Sequence, residues 1–105
     1  MSTDRAIKND MDYLTEMQER LNIQQKTFIK ACELAKKVEL AGVVRGSRMA
    51  TKCATLMIVA CKLTEANKEK EVGVEKLCRV SKKEMNKFFK KIQHLVPRAG
   101  LLSTS

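Results

Sequence analysis

Hydrophobic positions recur every three or four residues through most of this chain of 105 residues, and no segment shows a convincing period of two. That spacing predicts helices rather than strands. One stretch, Arg48 to Leu63, departs from simple amphipathicity. Ala50, Cys53, Ala54 and the run Leu56 to Cys61 leave its second half apolar on nearly every side. A helix apolar all round must be buried all round. Sixteen residues interrupted by Arg48, Lys52 and Lys62 are too short and too charged to span a bilayer. The stretch is therefore expected as the central helix of a bundle, its small alanines and cysteines letting neighbouring backbones approach. Ser47 is its expected N-cap.

The other helices follow from the same pattern. Thr3 is expected to cap a first helix beginning at Asp4, with Ile7, Met11, Leu14, Met17 and Leu21 inward and Lys8, Asp12, Glu16 and Glu19 solvated. Asn22 with Gln25 reads as a capping box for a second helix. Its stripe is Phe28, Cys32, Ala35 and Val38, with Ile29 and Ala31 beside it, and Lys26, Lys30, Lys36 and Lys37 mostly opposite. It ends near Leu40, where Gly42 is a C-terminal signal. Val43 to Gly46 reads as a short loop. Thr64 to Lys70 reads as a polar loop, and Gly73 to Cys78 as a short helix with Val74, Leu77 and Cys78 inward. Arg79 and Val80 form a tight turn. Ser81 and Glu84 make an S-x-x-E capping box, opening a helix with Met85, Phe88, Phe89, Ile92 and Val96 apolar. Pro97 stops it. Leu101 and Leu102 are expected to fold back on the bundle. The predicted architecture is all-α: five helices around a central one at about 48–63, with a helix-turn-helix at the C-terminal end. Residues 1–102 form a single domain and 103–105 a loose tail.

Composition adds a direction. There are 21 lysines and arginines against 12 acids, a formal charge of +9. Such an excess suits an anionic partner such as nucleic acid or an acidic membrane surface, although a basic surface alone requires neither. Residues 1–23 carry 3 basic and 5 acidic side chains, 24–65 carry 8 and 3, and 66–105 carry 10 and 4. The positive potential belongs to the last two thirds. The four cysteines, Cys32, Cys53, Cys61 and Cys78, have no metal-ligand spacing and fall on apolar stripes. They read as reduced core residues, which points to an intracellular setting. No secretory or transmembrane segment is visible.

Two basic groups are the candidate binding residues. The first is Ser81, Lys82, Lys83, Asn86 and Lys87, at the start of the last helix. In a helix-turn-helix the N-terminal residues of the second helix meet base edges in the major groove. Lysine donates to guanine or phosphate, and asparagine pairs with adenine. The plainer alternative is the solvated face of a terminal helix, formed by Lys82, Lys83, Lys87, Lys90 and Lys91. The second group is Arg45, Arg48 and Lys52, at the start of the central helix, where free backbone N–H groups favour phosphate. Its alternative is an ordinary loop and cap. An enzyme finds no support: His94 is the single histidine, without an evident partner, and no phosphate-cradling glycine loop is present. With one tyrosine and no tryptophan, stacking platforms for single strands are poorly supplied.

The run from Arg20 to Arg98 resembles one cyclin-like repeat of the transcription factor IIB family. The matching pieces, in order, are Leu21-Asn22-Ile23, Ala35-Lys36-Lys37 before a glycine loop, Arg45-Gly46-Ser47, the alanine-rich helix ending Ala60-Cys61-Lys62, and Val80-Ser81-Lys82-Lys83-Glu84-Met85. The Val96-Pro97-Arg98-Ala99 ending looks more like the second, C-terminal repeat, whereas the Val-Ser-Lys-Lys-Glu run looks more like the first. We lean to the second. The resemblance implies a non-enzymatic transcription initiation module without a cofactor. It would bind double-stranded promoter DNA beside a TATA element and dock the TATA-binding protein and the RNA polymerase machinery. It would be monomeric as a domain, away from membranes, in the nucleus or in the cytoplasm if archaeal. Lys83 and Asn86 fall at the family's base-reading positions but differ in type, so base preference does not carry over with the fold. No cysteines are spaced for the zinc ribbon that recruits polymerase in such factors. The alternative is a cyclin-type protein-interaction module that touches no DNA.

Overall fold

A computed structural model describes residues 9–42, 48–64 and 68–96. Five α-helices fill these segments: α1 (Asp10–Leu21), α2 (Gln25–Ala41), α3 (Met49–Thr64), α4 (Lys68–Cys78) and α5 (Lys82–Ile92), with a closing 3₁₀ turn at Gln93–Leu95. No strand occurs among the described residues.

α3 is the hub, touching α1, α2, α4 and α5. Cys53, Ala54, Leu56, Met57, Ala60 and Cys61 are fully buried, as an all-round apolar helix requires. Leu14 and Met17 of α1, Leu34 and Val38 of α2, Val74 of α4 and Phe88 and Ile92 of α5 close around it. Two polar side chains join this core by finding partners. Thr27 of α2 is fully buried, and its hydroxyl lies 2.6 Å from that of Thr64 at the end of α3. The Thr55 hydroxyl donates back to the Thr51 carbonyl at 2.8 Å. Gly42 closes α2 in the left-handed region (φ 65), as its position after the last apolar residue predicts.

Several boundaries differ from the sequence reading. α1 begins at Asp10, because Asn9 has extended backbone and its side chain accepts from the Asp12 N–H. The predicted Thr3 cap, the start at Asp4, Ile7 and Lys8 lie outside the described residues. Met11 is half exposed, while Tyr13 is partly buried against the core. Asn22 makes no capping box. It adopts φ 54 and closes α1, and Gln24 precedes α2 without a side-chain cap bond. Ile29 is half exposed rather than beside the buried stripe, which runs through Thr27, Ala31, Leu34, Ala35 and Val38. The predicted loop up to Lys70 is shorter, since α4 starts at Lys68. Gly73 lies inside that helix: a Cβ there would come 3.1 Å from Leu21 Cδ2, so its lack of a side chain lets α4 approach α1. The Lys70 ammonium donates to the Leu21 and Asn22 carbonyls at 2.6 and 2.9 Å and so satisfies the C-terminus of α1. The loop at 43–46, Ser47, Pro97, Leu101, Leu102 and the 103–105 tail also lie outside the described residues.

Candidate nucleic-acid interface

The last helix is held from one side and open on the other. Arg79 takes the left-handed conformation (φ 54) and turns the chain out of α4, its N–H donating to the Glu75 carbonyl at 2.9 Å. Val80 is buried, which anchors the turn. Ser81 then caps α5: its hydroxyl accepts from the Glu84 N–H at 3.1 Å, and the Glu84 carboxylate accepts from the Ser81 N–H at 3.3 Å. This is the reciprocal box that the S-x-x-E spacing predicts. Met85, Phe88, Ile92 and Val96 are buried and Phe89 is partly so. Ser81, Lys82, Lys83, Asn86, Lys87, Lys90 and Lys91 are exposed. Residues 83, 86, 87 and 90 recur at three- and four-residue spacing, so they share one stripe. None of these lysines pairs with an acid among the described residues.

The second basic group is used differently. Arg48 Nη1 lies 3.2 Å from Glu84 Oε2, so the start of α3 is tied to the start of α5. Lys52 Nζ lies 2.8 Å from Asp10 Oδ2, and both side chains are largely covered. Lys52 is therefore engaged in an internal ion pair and is less available to a ligand than the α5 lysines. Arg48 remains mostly exposed, and its ion pair with Glu84, the residue that shares the capping box with Ser81, brings it to the edge of the α5 surface. Arg45 lies outside the described residues. Lys90 and Lys91, which the sequence presents only as solvated-face lysines, extend the exposed cationic surface along α5.

In the core, burial shifts the titratable groups. Burial pushes the Tyr13 phenol up to about 12, helped by the neighbouring Cys78 and Cys53 thiols. Burial also raises Cys53, with the Asp10 carboxylate adding to the effect, and raises Cys78. Thiols held protonated are poor nucleophiles and poor metal ligands. All four cysteines are free, with Cys53, Cys61 and Cys78 buried. No cluster of His, Cys, Asp and Glu among the described residues is arranged to hold a metal ion. None of the described helices is long and apolar enough to cross a membrane. His94 stands exposed in the 3₁₀ turn.

A central apolar helix wrapped by four others, with a short turn leading into a capped last helix, is the arrangement the resemblance implies. The family model of the transcription factor TFIIB repeat matches residues 3–95. The chain belongs to this family. It is thus a cyclin-like module of transcription-factor type, from a family of such modules rather than of enzymes. The match to the TFIIB repeat runs from before α1 through the 3₁₀ turn, so it includes both basic groups. No curated protein and no solved structure matches the chain.

Proposed function

We propose that this TFIIB-type repeat binds double-stranded promoter DNA through α5 and docks the TATA-binding protein and the RNA polymerase machinery. It would do so as the second of two repeats, in the nucleus or in an archaeal cytoplasm. The observation that carries the reading is the row of exposed cations, without an acid partner among the described residues, on a helix whose opposite face is fixed in the core. α4, the turn at Arg79 and α5 would act as a helix-turn-helix, with Ser81, Lys82, Lys83, Asn86 and Lys87 toward the groove. Capping and burial hold that stripe in place, so little order has to be gained on binding. Lysines supply salt-dependent affinity, with a log–log slope of about −0.9 per phosphate neutralised. Asn86 is the best-placed group for base readout, by two bonds to adenine. Arg48 would add an edge contact after exchanging Glu84 for phosphate. Lys52 is left out of this role by its bond to Asp10.

The test is an NMR titration of the labelled protein with a promoter-like duplex at low and moderate salt. Amide shifts centred on residues 81–87, fading as salt rises, support the reading. No shift there even at low salt favours the cyclin-type module that touches no DNA.

A further inference from the structure

Among the described residues, α1, α2 and α4 each end on a residue in the left-handed region, and α4 breaks the rule the other two follow. α1 closes on Asn22 (φ 54) and α2 on Gly42 (φ 65). Glycine has no Cβ to clash there, and asparagine is a side chain that visits this region readily. α4 closes on Arg79 (φ 54). The Arg79 N–H donates to the Glu75 carbonyl at 2.9 Å, as the Gly42 N–H does to Val38 at 3.2 Å. A glycine at 79 would make the same bond without the steric cost. The arginine side chain does not offset that cost inside the fold. It is exposed, and it makes no ion pair or hydrogen bond among the described residues. A cation does suit the negative end of a helix, yet Lys76 already stands in the last turn of α4.

What sets Arg79 apart is its place. It stands two residues before Ser81, so its Cα lies within about 7 Å of the start of the α5 surface. Val80 between them is buried and fixes the turn from behind, while Lys82 and Lys83 follow exposed. A strained residue that the fold itself does not need points to function. We infer that Arg79 is a clamp for a backbone phosphate of the duplex, gripping it from the turn while α5 lies in the groove. The planar guanidinium fork takes two phosphate oxygens at once, which neither glycine nor asparagine can do from this position. A phosphate contact fixes the register of the reading helix without itself reading sequence. This role rests on the DNA reading of α5 and adds a contact that residues 81–87 do not make.

The test compares the full chain with its Arg79→Gly, Arg79→Gln and Arg79→Lys variants. Each is measured by urea unfolding and by affinity for two duplexes of unrelated sequence across a salt series. Arg79→Gly should raise the urea midpoint, because glycine relieves the left-handed backbone. It should nevertheless bind both duplexes about tenfold more weakly at low salt, the loss expected of one charge-assisted contact. Its log–log slope should be shallower by about 0.9. Arg79→Gln keeps the strained backbone, so it should lose the same affinity with the midpoint nearly unmoved, which separates a lost charge from a loosened turn. Arg79→Lys should restore the slope but only part of the affinity, since one ammonium replaces the fork. A lower urea midpoint for Arg79→Gly, wild-type affinity for Arg79→Gln, or a loss on one duplex only would overturn the assignment. Those results leave the DNA reading standing as long as Lys83→Glu with Lys87→Glu still weakens binding. No duplex binding by the wild-type protein at any salt would overturn both.

Discussion

α3 and α5 both open with basic residues, yet they put them to different use. At the start of α3, Lys52 pairs with Asp10, and Arg48 just before the helix pairs with Glu84, each partner coming from another helix. On α5, Lys82, Lys83, Lys87, Lys90 and Lys91 face outward with no such partner among the described residues. The difference follows from position. A helix surrounded by four others meets their acids wherever its own charges emerge. A helix packed on one side keeps the other side for solvent or a ligand. Positive charge in a sequence therefore marks a candidate contact only once the fold has left it unpaired.

The largest effect should come from the hub itself. Leu56→Ala removes a fully buried side chain and should cost about 3 kcal/mol in urea unfolding. If it costs less than about 1 kcal/mol, α3 is not the centre that its burial indicates. Next is the cap that sets the α5 surface. Ser81→Ala should lose about 1 kcal/mol, with Ser81→Gly losing less. Hydrogen exchange should rise first at Lys83 and Glu84, because fraying starts where the cap bond is removed.

The contrast between the two basic groups sharpens with Lys52→Met. It should lower stability by up to about 1 kcal/mol, as for a well-placed partly covered ion pair, and leave DNA affinity unchanged. A clear loss of DNA affinity with unchanged stability would return Lys52 to the interface. The effect confined to alkaline pH comes last. Tyr13 is the sole tyrosine and there is no tryptophan, so tyrosinate absorbance reports it alone. It should titrate near 12 in the folded protein against its ordinary 10.0. A raised folded pKa means the neutral phenol stabilises the fold fully below about pH 10 and loses that contribution as pH rises through about 12. Tyr13→Phe should flatten that part of the alkaline unfolding curve.

Much of this is legible in the sequence, for identifiable reasons. The burial of α3, the Ser81–Glu84 box and the Gly42 stop are all local signals: an unbroken apolar run, a three-residue spacing and a glycine after the last apolar position. What the sequence hides is tertiary. The first turn of α4 is Lys68-Glu69-Lys70, without apolar residues, and Gly73 reads as a helix start because Leu21, the neighbour that explains it, lies on another helix. Asn22 offers its side chain as a cap, but its backbone closes α1 instead. Nothing near Arg48 or Lys52 in sequence announces Glu84 or Asp10 as partners. Thr27 is a polar residue whose burial is tolerated because the Thr64 hydroxyl meets it from across the bundle.

The central claim is that the exposed cations of α5 bind duplex DNA. The direct measurement is the affinity of the wild-type protein and of Lys83→Glu with Lys87→Glu for one promoter-like duplex across a salt series. The prediction is that the variant binds at least about tenfold more weakly at low salt. Its log–log slope should be shallower by about 1.8, since two phosphates are no longer neutralised, and its unfolding free energy should stay within about 0.5 kcal/mol of wild type. Equal affinity and equal slope for the two proteins would contradict it.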